Sequence, residues 1–210
     1  DRRWLAPRGS SLLVSLFLKP TDPFAYQARR ITMICGLALL DAIHQHTPVP
    51  ARLKWPNDVM VDRPVGWGKL AGMLSEVHVV DGQPAGLVVG TGLNVNIPPT
   101  VLRHLAPNAA SLGGEGWVEV DRVRLLDTYL ASVERRVDAL REGEDPLPAW
   151  RSQLAWIDMP VKVVTPNDVT AGVFEDVDAE GALLVRLPDG THQRFEVGDV
   201  SLRLIDESRG

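Results

Sequence analysis

The 210 residues carry 27 acidic and 22 basic side chains, a net charge of −5, and one cysteine, Cys35. A chain of this length buries roughly 70% of its surface on folding, so it needs no disulfide or metal staple. A lone cysteine in an apolar segment is core filling in a reducing, cytoplasmic setting. The mildly acidic, mixed charge excludes a basic nucleic-acid footprint, and no apolar run reaches membrane-spanning length.

Asp1 stands where a start methionine would, and Arg2, Arg3 and Trp4 follow at once. The chain therefore reads as the interior of a longer one, with a segment expected upstream. Leu12 to Lys19 predicts a buried strand closed by Pro20. Asp22 and Pro23 suit the N-cap and first turn of a helix reaching about Gln45, with Ile31, Ile34, Leu37, Ala38 and Ile43 at helical spacing. Gly36 inside it marks a close packing point. His44 and His46 at its end suit the helix dipole and read as solvated.

Short strands follow at Arg52–Trp55 and Val59–Val61. Two longer ones, Lys69–Val80 and Ala85–Gly90, are joined by Asp81-Gly82, a hairpin signal. The proline-rich stretch from Ile97 to Pro107 reads as an irregular loop. Val120-Asp121 opens a helix to about Leu140, with Leu125, Leu126, Leu130 and Val133 on its apolar face, and a shorter helix covers Leu147 to Ile157. Beyond Pro160 the pattern turns to short alternating runs separated by Pro166-Asn167-Asp168, Glu180-Gly181 and Asp189-Gly190. That predicts five strands in an SH3-like β-barrel. Two domains are expected, residues 1–159 and 160–210.

Chemistry concentrates between Lys54 and Asn96. In Lys54-Trp55-Pro56-Asn57-Asp58 the proline ends a strand and presents Asn57 and Asp58 from a rigid turn. By itself this is ordinary turn chemistry. Lys69 opens an apolar strand next to Gly68, Ala71 and Gly72. It is either a snorkelling surface lysine or a cation aimed at a phosphate or carboxylate across small residues. Gly90-Thr91-Gly92-Leu93-Asn94-Val95-Asn96 permits close approach of a ligand, with Asn94 as donor and acceptor, or is a turn capped by asparagine. It lacks the dinucleotide-binding glycine spacing. Trp4, beside Arg2 and Arg3, either stacks on a nucleobase or is buried. Cys/His clustering for zinc is absent from the sequence.

Taken in order, Lys54–Asp58, Lys69-Leu-Ala-Gly-Met-Leu-Ser-Glu76 and Gly90–Asn96 closely resemble the biotin protein ligase family. Arg2–Pro7 resembles the tail of that family's glycine-arginine loop, and Ala110-Ser111-Leu112 and Gly181–Leu184 also fit. The resemblance spans essentially the whole chain. It implies an α+β fold, a mixed sheet flanked by helices plus the small C-terminal barrel. It implies formation of biotinyl-5′-AMP from biotin and ATP, with Mg²⁺, and transfer of biotin to a lysine of a biotin carboxyl carrier protein domain. A homodimer is plausible on the same grounds.

Residue by residue, the resemblance puts Lys69 at the biotin carboxylate and the α-phosphate, with Gly72 also in the biotin site. Asp58 either holds Mg²⁺ or serves the incoming carrier lysine. Asn57 and Asn94 bond to the adenylate, Trp4 covers adenine, Arg2 adds charge near the phosphates and Trp55 walls the pocket. The loop after Asn96 becomes a lid. The family's upstream Thr-Ser-Thr-Asn stretch and the Gln and Gly-Arg-Gly-Arg of the biotin loop are not in these 210 residues. By themselves they are expected to bind biotin poorly and to catalyse weakly or not at all. The alternatives are a lipoate-ligase relative, a biotin-sensing repressor carrying an upstream DNA-binding segment, and an inactive binding module. The Arg63–Gly68 loop reads as a surface elaboration.

Overall fold

The computed structural model describes residues 4–19, 28–64, 66–106, 108–114, 119–198 and 200–205. They fall into two units, one formed by Asp1–Leu53 with Asn57–Gln153, the other by Lys54–Pro56 with Leu154–Gly210. None of the helices is long and apolar enough to cross a membrane, among the described residues.

The first unit is built on a five-stranded sheet in the order β1-β5-β4-β3-β2. Its strands are β1 (Ser11–Leu18), β2 (Ala51–Lys54), β3 (Asp58–Val61), β4 (Gly68–Val80) and β5 (Gln83–Asn94). The pairs β1–β5, β5–β4 and β4–β3 are all antiparallel, and the parallel component of the expected mixed sheet is an isolated bridge between Lys69 and Ala109. Asp81 and Gly82 close the β4–β5 hairpin with positive φ at both positions, as the Asp-Gly signal implies. β1 is an edge strand rather than a fully buried one: Leu12 is buried while Leu13 and Phe17 are exposed. A half-covered edge strand can carry a continuous apolar run, which is why the sequence overstates its burial.

One sheet face packs on α1 (Ala28–His46), which is buried nearly all round from Met33 to Leu40. A helix without a polar stripe belongs between layers. Here α1 has the sheet on one side and also packs against α3 (Arg122–Arg141) and α4 (Leu147–Ser152). Fully burying each Ile or Leu of that helix stabilises the fold by about 1.5–3 kcal/mol. Gly36 is a close packing point: a Cβ there would lie 3.1 Å from Leu53 Cδ2 and 3.5 Å from Met73 Cε. Asp41 ties α1 to α3, accepting hydrogen bonds from Ser132, Arg135 and Arg136. The histidines at the end of α1 are not simply solvated, because His44 Nε2 pairs with the Ala51 carbonyl and His46 Nε2 with Thr128 Oγ1. The N-cap expected at Asp22-Pro23 lies outside the described residues.

Asp121 caps α3, its Oδ1 accepting from the Val123 and Arg124 amides. The proline-rich stretch expected to be irregular contains α2, Pro99–Leu105, with proline at its first turn. Proline at that position starts a helix rather than breaking one.

The second unit is a five-stranded antiparallel sheet of β6 (Pro160–Val164), β7 (Val169–Val177), β8 (Leu183–Arg186), β9 (His192–Phe195) and β10 (Ser201–Leu204), ordered β10-β6-β7-β8-β9. Val161, Val163, Phe174, Leu183, Val185 and Leu202 form its core. Trp55 belongs to this unit. It is fully buried and its indole N–H donates to the Gly181 carbonyl at 3.1 Å.

Two predictions follow from this packing. Trp55→Phe leaves a buried carbonyl unpaired and a void where the pyrrole ring lay, so urea unfolding is expected to register a loss of about 2–4 kcal/mol, against no loss if the contact is unimportant. Burial pushes the Cys35 thiol up from 9.0 to about 11, against the Tyr129 hydrogen bond that pulls it down. Burial likewise raises Tyr129. The folded state thus keeps a proton that the unfolded chain releases, so stability is intact below about pH 9 and declines as pH rises toward about 11. Denaturation at pH 8 and pH 10.5 is expected to differ less in Cys35→Ala than in the parent chain.

Candidate active site

Strand β4 carries one residue more than β3 opposite it. Asp58 pairs with Gly72 and Val59 with Ala71, but Met60 pairs with Lys69, leaving Leu70 as the extra residue of a β-bulge. In a regular strand residues 69 and 72 would face opposite ways, because their separation is odd. The bulge brings them to one face: a Cβ on Gly72 would lie 2.9 Å from Lys69 Nζ and 3.2 Å from Asp58 Oδ1. Leu70 and Ala71 are both fully buried.

The face so formed lies opposite α1. Gly72 pairs with Gly92, and Leu74 with Gly90, so three of these four positions on β4 and β5 lack a side chain. Gly90–Asn94 is therefore strand, not a turn. The Trp4 ring lies on Gly92, where a Cβ would come within 2.7 Å of it. Lys69 Nζ sits 6.0 Å from the centroid of that ring and 2.5 Å from Asp58 Oδ1, the carboxylate being the more buried partner. A cation, a carboxylate and an aromatic face thus meet above glycine.

The two asparagines that sequence singled out hold the frame of this site. Asn57 Nδ2 donates to the Met73 carbonyl at 2.5 Å, while the Met73 amide donates to the Asn57 carbonyl at 2.9 Å. Asn94 is buried, its Nδ2 donating to the Ala110 carbonyl at 3.0 Å. Residues 108–110 run beside the start of β4: the Lys69 amide donates to the Asn108 carbonyl and the Ala110 amide to the Lys69 carbonyl. Ser111, also buried, accepts from the Ile97 amide and donates to the Val95 carbonyl. Asn96 makes a two-way bond with the backbone of Val120.

Lys69, Asp58, Gly72 and Trp4 are thus brought together. Asn57 and Asn94 stand beside them, each with its side-chain amide donating to a backbone carbonyl. Trp55, read as a wall of the pocket, is fully buried and its indole N–H bonds to Gly181 within the other unit. Arg2 lies outside the described residues. Sequence reasoning places Ala110-Ser111-Leu112 only within the family resemblance and Arg63 only within a surface loop, because their place beside β4 depends on a long-range pairing; Gly68, a side-chain-free position just before Lys69, is the available signal.

The sequence model of the biotin/lipoate A/B protein ligase family matches residues 5–147, and that of the biotin protein ligase C terminal domain matches residues 157–203. The chain belongs to the biotin/lipoate A/B protein ligase family. It is 33% identical to a biotin–[acetyl-CoA-carboxylase] ligase of Mycobacterium tuberculosis over 87% of this chain and 66% of that one. It is 28% identical to the bifunctional ligase/repressor BirA of Salmonella typhimurium over 96% of this chain and 62% of that one. The chain thus spans about six-tenths of the length of the bifunctional relatives it matches. In fold it is similar to the biotin protein ligase of Aquifex aeolicus solved with biotin and ATP, at a TM-score of 0.76 and 24% identity over 97% of this chain and 82% of that one.

If Asn94 is a frame residue, Asn94→Ala leaves the Ala110 carbonyl unpaired. Stability is then expected to fall by about 1–3 kcal/mol. Hydrogen exchange should quicken at the Lys69 and Ala110 amides before the rest of the sheet, whereas uniform exchange would count against the assignment.

Proposed function

We propose that this chain is the adenylate-forming and transferring part of a biotin–protein ligase. It joins biotin to ATP as biotinyl-5′-AMP with release of pyrophosphate, then passes the biotinyl group to a lysine of a biotin carboxyl carrier protein domain. The observation that carries the reading is Lys69, paired with Asp58 at 2.5 Å above a strip of glycines. The first step drives a carboxylate onto a phosphate, two anions, so it needs a fixed cation where they meet. Glycines 72, 90 and 92 let the reacting groups lie close to the backbone that holds that cation.

Asp58 keeps the Lys69 ammonium in place and, in the second step, is the group suited to take the proton from the attacking carrier lysine. Among the described residues no cluster of three metal-ligating side chains exists. The residues therefore fit Mg²⁺ as an ion brought in by the phosphates, with Asp58 as its one carboxylate, a mode usual for this ion. Bound there, Mg²⁺ would neutralise phosphate charge. Trp4 is the aromatic surface available to the adenylate. The charge balance of the chain gives no support to direct DNA binding, and β1, an edge strand with Leu13 and Phe17 exposed, favours pairing of two copies over a lone chain. We place the activity in the cytoplasm.

The test is biotinyl-AMP formation from biotin and labelled ATP by the protein expressed from its complete reading frame, with lipoate as the competing acid. Lys69→Ala is expected to cut the rate by about 10²–10³-fold, the scale for losing one charge-stabilising group. Adenylate made only from lipoate would redirect the reading within the family. No adenylate from a folded protein, or an unimpaired Lys69→Ala, would sink it.

A further inference from the structure

The loop before β4 contains an arginine whose position serves no evident surface role. Arg63 and Gly66 close a turn, the Gly66 amide donating to the Arg63 carbonyl at 2.9 Å, with Gly66 at φ +96°, a conformation that favours glycine. From that turn the Arg63 side chain folds back. Its Nε donates to the Gly66 carbonyl at 3.1 Å and its Nη1 to the Ala109 carbonyl at 3.4 Å. Its guanidinium packs against Gly68, so closely that a Cβ there would come within 2.6 Å of Cζ and 2.7 Å of Nε. The other neighbour of that missing Cβ is Ala110, at 2.7 Å. Arginine and glycine here are a matched pair: any side chain at 68 would displace the guanidinium.

Ala109 is the residue bridged to Lys69. In a parallel bridge of this kind its two flanking residues bond to Lys69, which leaves its own carbonyl turned away from β4. Arg63 reaches around Gly68 and takes that outward carbonyl. The start of β4 is therefore gripped from both sides, by residues 108–110 along its edge and by Arg63 across its back, one residue before Lys69 and two before the Leu70 bulge that turns Lys69 toward Asp58. A bulge is a weak point of a ladder, because one residue goes unpaired. A rigid planar fork that joins the two segments flanking it fixes where the lysine stem begins.

We propose that Arg63, seated on Gly68, is a positioning residue for Lys69. It acts through the 108–110 segment and not by touching substrate. What Lys69 catalyses rests on the biotin-ligase reading; the mechanical link between Arg63 and Lys69 does not. The fork geometry, not the charge, does the work, so lysine cannot replace arginine here.

The experiment compares the parent protein with Arg63→Met, which keeps an unbranched stem over Gly68, and Arg63→Lys, which keeps the charge. The first readout is the rate of acetylation of Lys69 by an amine-reactive acetyl ester, resolved by mass spectrometry, with exposed Lys162 as internal reference. Both variants are expected to label severalfold faster at Lys69 and equally at Lys162. The second is steady-state biotinyl-AMP formation, in which kcat and kcat/KM for biotin are expected to fall together by about tenfold, as for an interaction realised only in the transition state. Lys69 labelling within twofold of the parent in both variants, full rescue by Arg63→Lys, or an unchanged kcat in an active protein would each overturn the assignment. If the parent itself makes no adenylate, the functional reading fails while the labelling still decides the role of Arg63.

Discussion

The site depends on a register defect. Leu70 has no partner on β3, and in an unbroken alternation Lys69 would share a face with Ala71 and Met73, against α1. An unpaired ammonium in that apolar layer would be costly to hold. The bulge sends the lysine stem to the glycine face, where Asp58 stands across from Gly72. Everything near the start of β4 is consistent with keeping that defect in one place. Asn57 bonds to Met73 beyond it, residues 108–110 bond to Lys69 before it, and Arg63 packs on Gly68.

This gives the polar residues of the motifs two separate jobs. Lys69 and Asp58 meet as a partly exposed ion pair. Asn57, Asn94, Asn96 and Ser111 turn their side chains to backbone groups that strand pairing leaves over, at the places where β3 begins, where β5 ends and where the chain returns to α3. A buried carbonyl left unpaired costs more than a typical hydrogen bond contributes. Substituting these side chains would therefore loosen the frame of the site.

Much of the fold was legible in the sequence because its signals are local. The Asp81-Gly82 turn, the Asp121 cap and the alternating runs after Pro160 each occupy a few neighbouring residues, and each is where it was expected. What escaped was long-range or ambiguous in period. The two glycines of Gly90–Asn94 look like a turn but continue a strand, because the ring of Trp4 supplies the cover that side chains would have given. Pro98-Pro99 looks like a breaker but opens α2. The bond from Trp55 to Gly181 could not be read locally because the two are 126 residues apart. The bulge itself cannot be read from alternation: Gly68 to Met73 shows only that a lysine lies among small and apolar residues. The proximity of Lys69 and Asp58 came from the family resemblance, and the strand register supplies its physical cause.

The exposure of the ion pair bears on how it could work. Lys69 is 39% exposed and Asp58 14%, so in the open site their attraction is largely screened and is worth no more than about 1 kcal/mol. An arriving anion can therefore draw the ammonium away from the carboxylate at little cost. Once a ligand covers the glycine strip and excludes water, the same charge acts through a lower effective dielectric, where its interaction at a given distance is several times stronger. A pair sealed in the core would instead be too costly to open, because separating it would leave both charges desolvated. On the proposed reading, the partial exposure that makes the pair a poor contributor to stability is what would allow its cation to be handed to a transition state.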